Sequence, residues 1–163
     1  AEGTGVLLNN EMDDFAAKVG VPNAFGLIQG ARNAVGSGKR PVSSMTPTFV
    51  EHGSSGRLWL ALGSPGGPTI INTVLQGILN VVDRKMSIAD AVAAPRIHHQ
   101  WLPDSLRWEP GLSEELRAGL RSMGHSLEES ARRMGDMQAI MVDATGQVSA
   151  ASDPRGAGKA MLL

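Results

Sequence analysis

The sequence predicts an α+β domain in which strand hairpins form one or two sheets and a few helices lie between them. Two observations indicate this class. The β-type runs occur in pairs joined by Gly- or Ser-rich turns, and three other runs have helical character without a regular strand–helix alternation. The chain has 163 residues, 42% of them hydrophobic, so it can bury a core. We therefore predict a single domain over residues 1–163.

Composition argues against several classes of function. The 15 Lys and Arg residues are scattered and balanced by 16 Asp and Glu residues, so we expect no nucleic-acid partner. The absence of cysteine removes disulfides, thiolate metal ligands and a cysteine nucleophile. No apolar run approaches the roughly 18 residues of a membrane-spanning helix, so we expect no membrane span in this chain.

The first 42 residues are predicted to contain little regular structure. The segment GVLLNN predicts a short strand at Val6–Leu8 that runs into a polar turn ending at Asp14. Residues 16–42 have Gly or Pro every few positions and no sustained period, which predicts a long ordered loop. Such loops are uncommon in compact domains unless they act as lids or binding segments, and the alternative is a surface meander.

The middle of the chain predicts a hairpin followed by a helix. Runs 46–51 and 57–62 are joined by HGSSG, which favours an antiparallel pair. The second run leads through GSPGGPT into residues 70–85, where apolar residues recur at helical spacing: Ile70, Val74, Ile78, Val81 and Val82. Strand, glycine turn and helix are therefore expected to form one unit.

The last third of the chain predicts two helices and a second hairpin. Helices are expected over residues 87–94 and 113–123, the latter capped by Ser113 and stopped by Gly124. The runs MQAIMVD and QVSAASD should pair as strands. Asp153 and Arg155 can form an ion pair, and Trp101 and Trp108 are predicted to be core or interface residues rather than a substrate platform.

Two polar clusters could recognise a charged ligand. Glu11 and Asp14 are three residues apart in a polar turn, and they can either bind a substrate ammonium group or form a solvated acidic turn. Ser43 and Ser44 offer hydroxyl and N–H groups to a carboxylate, although a Ser pair alone is weak evidence. We predict no metal at His98, His99 and Asp104, because neighbouring strand residues project to opposite faces.

The turn Ser64–Gly67 directly precedes a predicted helix and is a candidate anion site. Successive backbone N–H groups and the helix dipole favour negative charge at such a place. A phosphate loop would need a Lys after its glycines, whereas Pro68, Thr69 and Ile70 follow Gly67. Stabilisation of an oxyanion is therefore the better functional hypothesis.

Six segments, taken in order, resemble signature stretches of the small subunit of γ-glutamyltransferases, also called γ-glutamyltranspeptidases or glutathione hydrolases. They are LLNNEMDDF, GVPN, KRPVSSMTPT, GSPGGPTIINTVLQ, APRIHHQWLPD and ASDPR. The resemblance covers essentially the whole chain, as a C-terminal portion of that subunit. It implies the αββα sandwich of N-terminal nucleophile hydrolases, present in part because the subunit's first strands are absent. It also implies the large subunit of the same precursor as partner, and a periplasmic or secreted location.

The resemblance implies roles for seven residues. Glu11 and Asp14 would hold the α-ammonium of a γ-glutamyl group, and Ser43 and Ser44 would hold its α-carboxylate. Gly66 and Gly67 would form the oxyanion hole. Phe25 stands in a lid segment where relatives often carry a Tyr whose hydroxyl helps to close the site.

The implied reaction moves the γ-glutamyl group from glutathione and related compounds to water, amino acids or peptides, without a cofactor. The family's nucleophile is the Thr that self-cleavage of the precursor releases as the small subunit's N-terminus. This chain begins at Ala1, and none of its six Thr residues matches that position, so we expect it to be inactive alone.

Three alternatives stay open. A glutaryl-cephalosporin acylase of the same superfamily would have little use for Glu11 and Asp14, because its substrate lacks the α-ammonium. A protein without a nucleophile could serve as a binding module that retains the glutamate pocket. A purely structural fragment would expose sheet edges and apolar surface, and we would expect it to dimerise.

Overall fold

The computed structural model describes residues 3–6 and 8–161, and the chain separates into two compact units. The first unit comprises residues 1–43 and the second residues 44–163. The single domain predicted over residues 1–163 stays a prediction.

The first unit consists of loops and short turns. Among its described residues, the regular elements are two 3-10 turns, Glu11–Asp14 and Ala31–Asn33, and residues 16–42 otherwise form the predicted ordered loop. The strand predicted at residues 6–8 is wrong at Val6 and Leu8, which lie outside any strand, and Leu7 lies outside the described residues. A strand needs a neighbour to receive its backbone hydrogen bonds. The Val6 N–H instead donates to Thr4 Oγ1 at 3.2 Å in a local turn.

The described part of the second unit contains seven strands in two sheets. The strands are β1 (Thr48–His52), β2 (Arg57–Gly63), β3 (Ile97–His98), β4 (Leu106–Trp108), β5 (Leu127–Glu129), β6 (Gln138–Val142) and β7 (Val148–Ser152). The four-stranded sheet is antiparallel, in the order β1-β2-β6-β7, and both predicted hairpins are confirmed within it.

The three predicted helices are confirmed as α1 (Thr69–Val82), α2 (Ile88–Ala93) and α3 (Glu114–Ser122). Ser87 and Ser113 cap α2 and α3, because their hydroxyl oxygens accept backbone N–H groups from the first turn of each helix. In the described residues, no helix combines the length and the apolar character needed to cross a bilayer.

The core lies between the four-stranded sheet and helices α1 and α2. Alternation along β2 turns Leu60 and Leu62 toward the helices, which bury them. The opposite face of the sheet stays open, with Phe49 75% exposed and Ile140 and Val148 more than a third exposed. The buried apolar cluster comprises Leu60, Leu62, Ile70, Val74, Val81, Ile88, Ala91, Val92, Met137, Ala139 and Ala151.

The small sheet, in the order β3-β4-β5, was not predicted, because its strands are only two or three residues long. Trp108 lies on β4, and the Arg117 guanidinium stacks 4.3 Å from the centre of its indole ring. Trp101 is not a core residue, since it is 77% exposed. It lies in the loop after β3, where no neighbouring strand covers it.

Candidate active site

The glycine turn between β2 and α1 is the best-built candidate site. Gly66 has φ +144° and Gly67 has φ +57°, values that residues with a Cβ atom rarely adopt. Within residues 3–6 and 8–161, neither the Gly66 N–H nor the Gly67 N–H donates a hydrogen bond. Two consecutive backbone donors therefore remain available at the N-terminal end of a 14-residue helix.

Hydrogen bonds to the carbonyl groups hold this turn in place. The Gly66 carbonyl accepts both the Thr69 N–H at 3.2 Å and the Thr69 hydroxyl at 2.9 Å. The Gly67 carbonyl accepts the Ile70 N–H at 3.1 Å and the Ser44 hydroxyl at 2.9 Å. The structure thus brings Ser44 into contact with the predicted oxyanion turn, which the sequence did not indicate.

The segment Met134–Met137 packs behind the turn. Ser64 Oγ accepts the Asp136 N–H at 2.9 Å. A Cβ placed on Gly66 would overlap the Thr69 hydroxyl and lie 3.4 Å from the Gly135 Cα. Gly135 itself has no room for a side chain, because its Cβ would meet Ser64 Oγ at 2.5 Å. The glycine turn is therefore in contact on two sides and cannot shift freely.

A cluster of four charged residues anchors that segment: the buried Arg96, Glu109 and Asp153, and the half-buried Arg155. Arg96 Nη1 donates to the Met134 carbonyl at 2.7 Å, and Glu109 Oε1 accepts the Met134 N–H at 3.0 Å. Arg155 Nη1 lies 3.0 Å from Asp153 Oδ1, so the predicted ion pair is confirmed. The sequence did not indicate that Arg96 and Glu109 contact this segment, because they lie 38 and 25 residues from Met134 along the chain.

Asp153 is the most enclosed member of this cluster, with no exposed side-chain surface. Its two oxygens accept hydrogen bonds from Arg96 Nη2 at 2.6 Å, the Met137 N–H at 2.8 Å, and the N–H and Nη1 of Arg155 at 3.0 Å each. Burial, the largest influence, acts to raise the pKa of Asp153. The backbone and guanidinium donors outweigh it, so this pKa lies below its ordinary value.

The predicted ammonium site lies in the first unit. Glu11 and Asp14 are the two ends of one 3-10 turn, with Glu11 exposed and Asp14 half-buried. Among the described residues, neither carboxylate accepts a hydrogen bond or forms a salt bridge. Both charges are therefore available to a cationic ligand, as the hypothesis requires.

The other predicted residues of the first unit lie in exposed loops. Phe25 is 45% exposed in a tight turn, where its N–H and that of Leu27 both donate to Asn23 Oδ1 at 3.0 Å. Ser43 is exposed at the end of this unit. Ser43 and the acidic turn therefore belong to one unit, and Ser44, Gly66 and Gly67 to the other.

The histidines take separate partners. His98 is buried, with Nδ1 3.0 Å from Asn72 Nδ2 and Nε2 2.9 Å from Gln100 Oε1. Burial lowers the pKa of His98, which favours the neutral ring. His99 Nε2 lies 3.1 Å from the exposed Asp104 carboxylate. In the described ranges, no group of three potential ligands converges on a metal position.

The whole chain, residues 1–163, matches the family model described as Gamma-glutamyltranspeptidase. It is 52% identical over 154 residues to the glutathione hydrolase proenzyme of Escherichia coli (strain K12), covering 93% of this chain and 26% of that protein. It is 42% identical over 165 residues to the glutathione hydrolase proenzyme of Pseudomonas aeruginosa, covering 99% of this chain and 29% of that protein. The chain thus spans little more than a quarter of the length of these curated relatives.

A solved structure agrees with these relatives. The gamma-glutamyltranspeptidase from Pseudomonas nitroreducens complexed with L-DON has a TM-score of 0.86 to this chain at 43% identity. The match covers 100% of this chain and 84% of that chain. The predicted N-terminal nucleophile hydrolase fold and the resemblance to the family are confirmed.

Proposed function

Because this chain belongs to the gamma-glutamyltranspeptidase family, we propose that the full-length protein transfers γ-glutamyl groups. The donors are glutathione and related γ-glutamyl compounds, and the acceptors are water, amino acids or peptides. The acyl-enzyme forms on a threonine that another part of the precursor supplies, because none of this chain's six threonines matches the nucleophile. Residues 1–163 alone are accordingly expected to be inactive.

The glycine turn carries this proposal. As the threonine oxygen attacks the γ-carbonyl carbon, the threonine's own amine takes the hydroxyl proton and the carbonyl oxygen becomes an oxyanion. The oxyanion collapses as the C–N bond breaks, and the leaving amine takes up that proton. The N–H groups of Gly66 and Gly67, which donate to no acceptor in the described part of the chain, are suited to stabilise that oxyanion. The ester is then cleaved by water or by the acceptor amine.

The acidic turn and the serines would supply recognition of the glutamyl group. We propose that Glu11 and Asp14 bind the α-ammonium and that Ser43 and Ser44 bind the α-carboxylate. Neither carboxylate has a hydrogen-bond or salt-bridge partner among the described residues, which supports the first role. The Ser44 hydroxyl donates its single hydrogen to the Gly67 carbonyl, so it would bind the carboxylate by rotating that hydrogen toward the substrate. Phe25 would contribute its ring to a lid that has no tyrosine hydroxyl.

The proposed partner is the large subunit of the same precursor, since the matched relatives are proenzymes about four times as long as this chain. The open apolar face around Phe49 and Ile140 is suited to such a contact and could otherwise support dimerisation of the isolated chain. We further propose a periplasmic or secreted location, by analogy with bacterial family members.

The test compares Asp14→Ala with wild type in the full-length protein, using a γ-glutamyl anilide as substrate. Loss of one charge-assisted contact should raise KM by about 10-fold or more and change kcat much less, because the ammonium is remote from the reacting carbonyl. Asp13→Ala is the matched control, since Asp13 is an exposed neighbour in the same turn.

If Asp14→Ala behaves like Asp13→Ala, Asp14 is not in the site and the glutaryl-cephalosporin acylase alternative gains support. If the wild-type full-length protein releases no aniline from the γ-glutamyl anilide, the non-catalytic binding module is the better description. A raised KM confined to Asp14→Ala supports the γ-glutamyl substrate.

A further inference from the structure

Asn33 connects three separate segments of the first unit. Its backbone carbonyl accepts the Ala16 N–H at 2.9 Å, and its backbone N–H donates to the Gly30 carbonyl at 3.1 Å. Its side-chain Nδ2 donates to the Asp14 carbonyl at 2.7 Å, and its Oδ1 accepts the Val42 N–H at 2.9 Å. One residue thus holds both the end of the acidic turn and the residue that precedes Ser43.

The Asn33 amide can take only one orientation in this setting. Nδ2 faces two acceptors, the Asp14 carbonyl and Gln29 Oε1, while Oδ1 faces a backbone donor. A flip of the amide would place oxygen against oxygen and N–H against N–H. Asn33 is only 9% exposed, so water cannot readily replace these bonds.

Neighbouring regular structure does not hold these segments together. Asn33 lies 19 residues from Asp14 and 9 residues from Val42. Among residues 16–42, the loop contains the short 3-10 turn Ala31–Asn33 but no α-helix and no strand. In a segment of this kind, a few buried side-chain hydrogen bonds replace the sheet or helix as the source of order.

We propose that Asn33 is a positioning residue that sets the spacing between the acidic turn and Ser43. The α-ammonium and α-carboxylate of a γ-glutamyl group are bonded to the same carbon atom, so the groups that bind them must keep a narrow spacing. Asn33 contacts the backbone on both sides, and therefore acts through Asp14 and Ser43 rather than touching the substrate. The inference rests on the proposed function.

The test replaces Asn33 by Asp in the full-length protein. The aspartate keeps the shape and the acceptor for the Val42 N–H, but it has no hydrogen to donate to the Asp14 carbonyl. KM for a γ-glutamyl anilide should rise about 10-fold, with kcat changed by less than about threefold. The reason is that the substitution weakens substrate binding but leaves the groups at the reacting carbonyl unchanged. Inhibition by glutamate should weaken more than inhibition by glutarate, which lacks the ammonium.

Asn80→Asp is the matched control. Asn80 is also buried, at 6% exposure, and its Nδ2 donates to the Ala91 carbonyl in the second unit. Asn80→Asp should lower the free energy of unfolding as Asn33→Asp does, but it should leave KM and the glutamate-to-glutarate inhibition ratio unchanged. If the Asn33→Asp protein is not recovered, Gln29→Ala is measured in its place, because it removes one acceptor of the Asn33 amide. It should raise KM by a smaller factor than Asn33→Asp, and an unchanged KM would overturn the role of Asn33.

The outcomes separate the two proposals. A wild-type enzyme that binds glutarate as tightly as glutamate overturns the proposed function, and this inference with it. If the wild-type enzyme prefers glutamate to glutarate but Asn33→Asp leaves KM and the glutamate-to-glutarate inhibition ratio unchanged, the role of Asn33 alone is overturned. Equal changes in Asn33→Asp and Asn80→Asp likewise overturn it, because they indicate general destabilisation.

Discussion

Replacing Gly66 by Ala should disable the oxyanion turn while leaving substrate binding largely intact. At φ +144° the backbone adopts a conformation essentially restricted to glycine, and an added Cβ would overlap the Thr69 hydroxyl. The Gly135 Cα would lie 3.4 Å from that Cβ, and Gly135 has no room to move away because Ser64 and Thr73 lie close to it. The turn must therefore rotate, and the Gly66 and Gly67 N–H groups must leave their positions.

The expected magnitude follows from the loss of one or both donors. Removing a single oxyanion-hole donor typically costs a factor of about 10²–10³ in kcat, or ~2.7–4 kcal/mol of transition-state stabilisation. KM should change by less than about threefold, because the ground-state carbonyl carries little charge. The assay is steady-state turnover of a γ-glutamyl anilide by the full-length protein, with the melting temperature measured in parallel.

Gly119→Ala is the control for the glycine-to-alanine change itself. Gly119 lies in α3 with no atom within 4 Å of an added Cβ, so alanine should leave kcat unchanged and slightly stabilise the helix. A Gly66→Ala enzyme whose kcat stays within about threefold of wild type would refute the oxyanion role of this turn. A fall in kcat with an unchanged melting temperature would support it most directly.

Three further predictions concern stability of the full-length protein. Asp153→Asn should lower the free energy of unfolding by about 3–5 kcal/mol, because it leaves the buried Arg96 guanidinium without its counter-charge, and urea denaturation measures this. Because the folded-state pKa of Asp153 is lowered, its contribution to stability is complete above pH ~4 and is lost as the pH falls through that folded-state pKa. The stability of Asp153→Asn should therefore fall less steeply with decreasing pH than that of wild type. An unchanged loss of stability at acid pH would contradict this role of Asp153. Ser113→Ala should cost about 1 kcal/mol, because the Leu116 N–H loses the cap, and an unchanged urea midpoint would contradict the capping role.

Local patterns were enough to predict most of the regular structure. Helix α1 could be predicted because Ile70, Val74 and Val81 repeat at helical spacing, and the structure buries all three. The hairpins could be predicted because their turns are short and rich in Gly and Ser. One exception was the strand expected at residues 6–8: Val6 and Leu8 lie outside any strand, and the Val6 N–H donates within a local turn instead. The other was the small sheet of strands β3, β4 and β5, which are too short to show a pattern.

The candidate site was predictable only in its individual motifs. The sequence by itself determined the family, the glycine turn before α1 and the acidic pair Glu11 and Asp14, because each depends on residues that are adjacent in the chain. Only the tertiary structure decided that Arg96 and Glu109 clamp the segment behind that turn, and that Asn33 connects Asp14 to Val42. These contacts join residues 9 to 38 positions apart, and a buried charge or amide has no periodic signature; its partners are defined only when the folded chain excludes water around them.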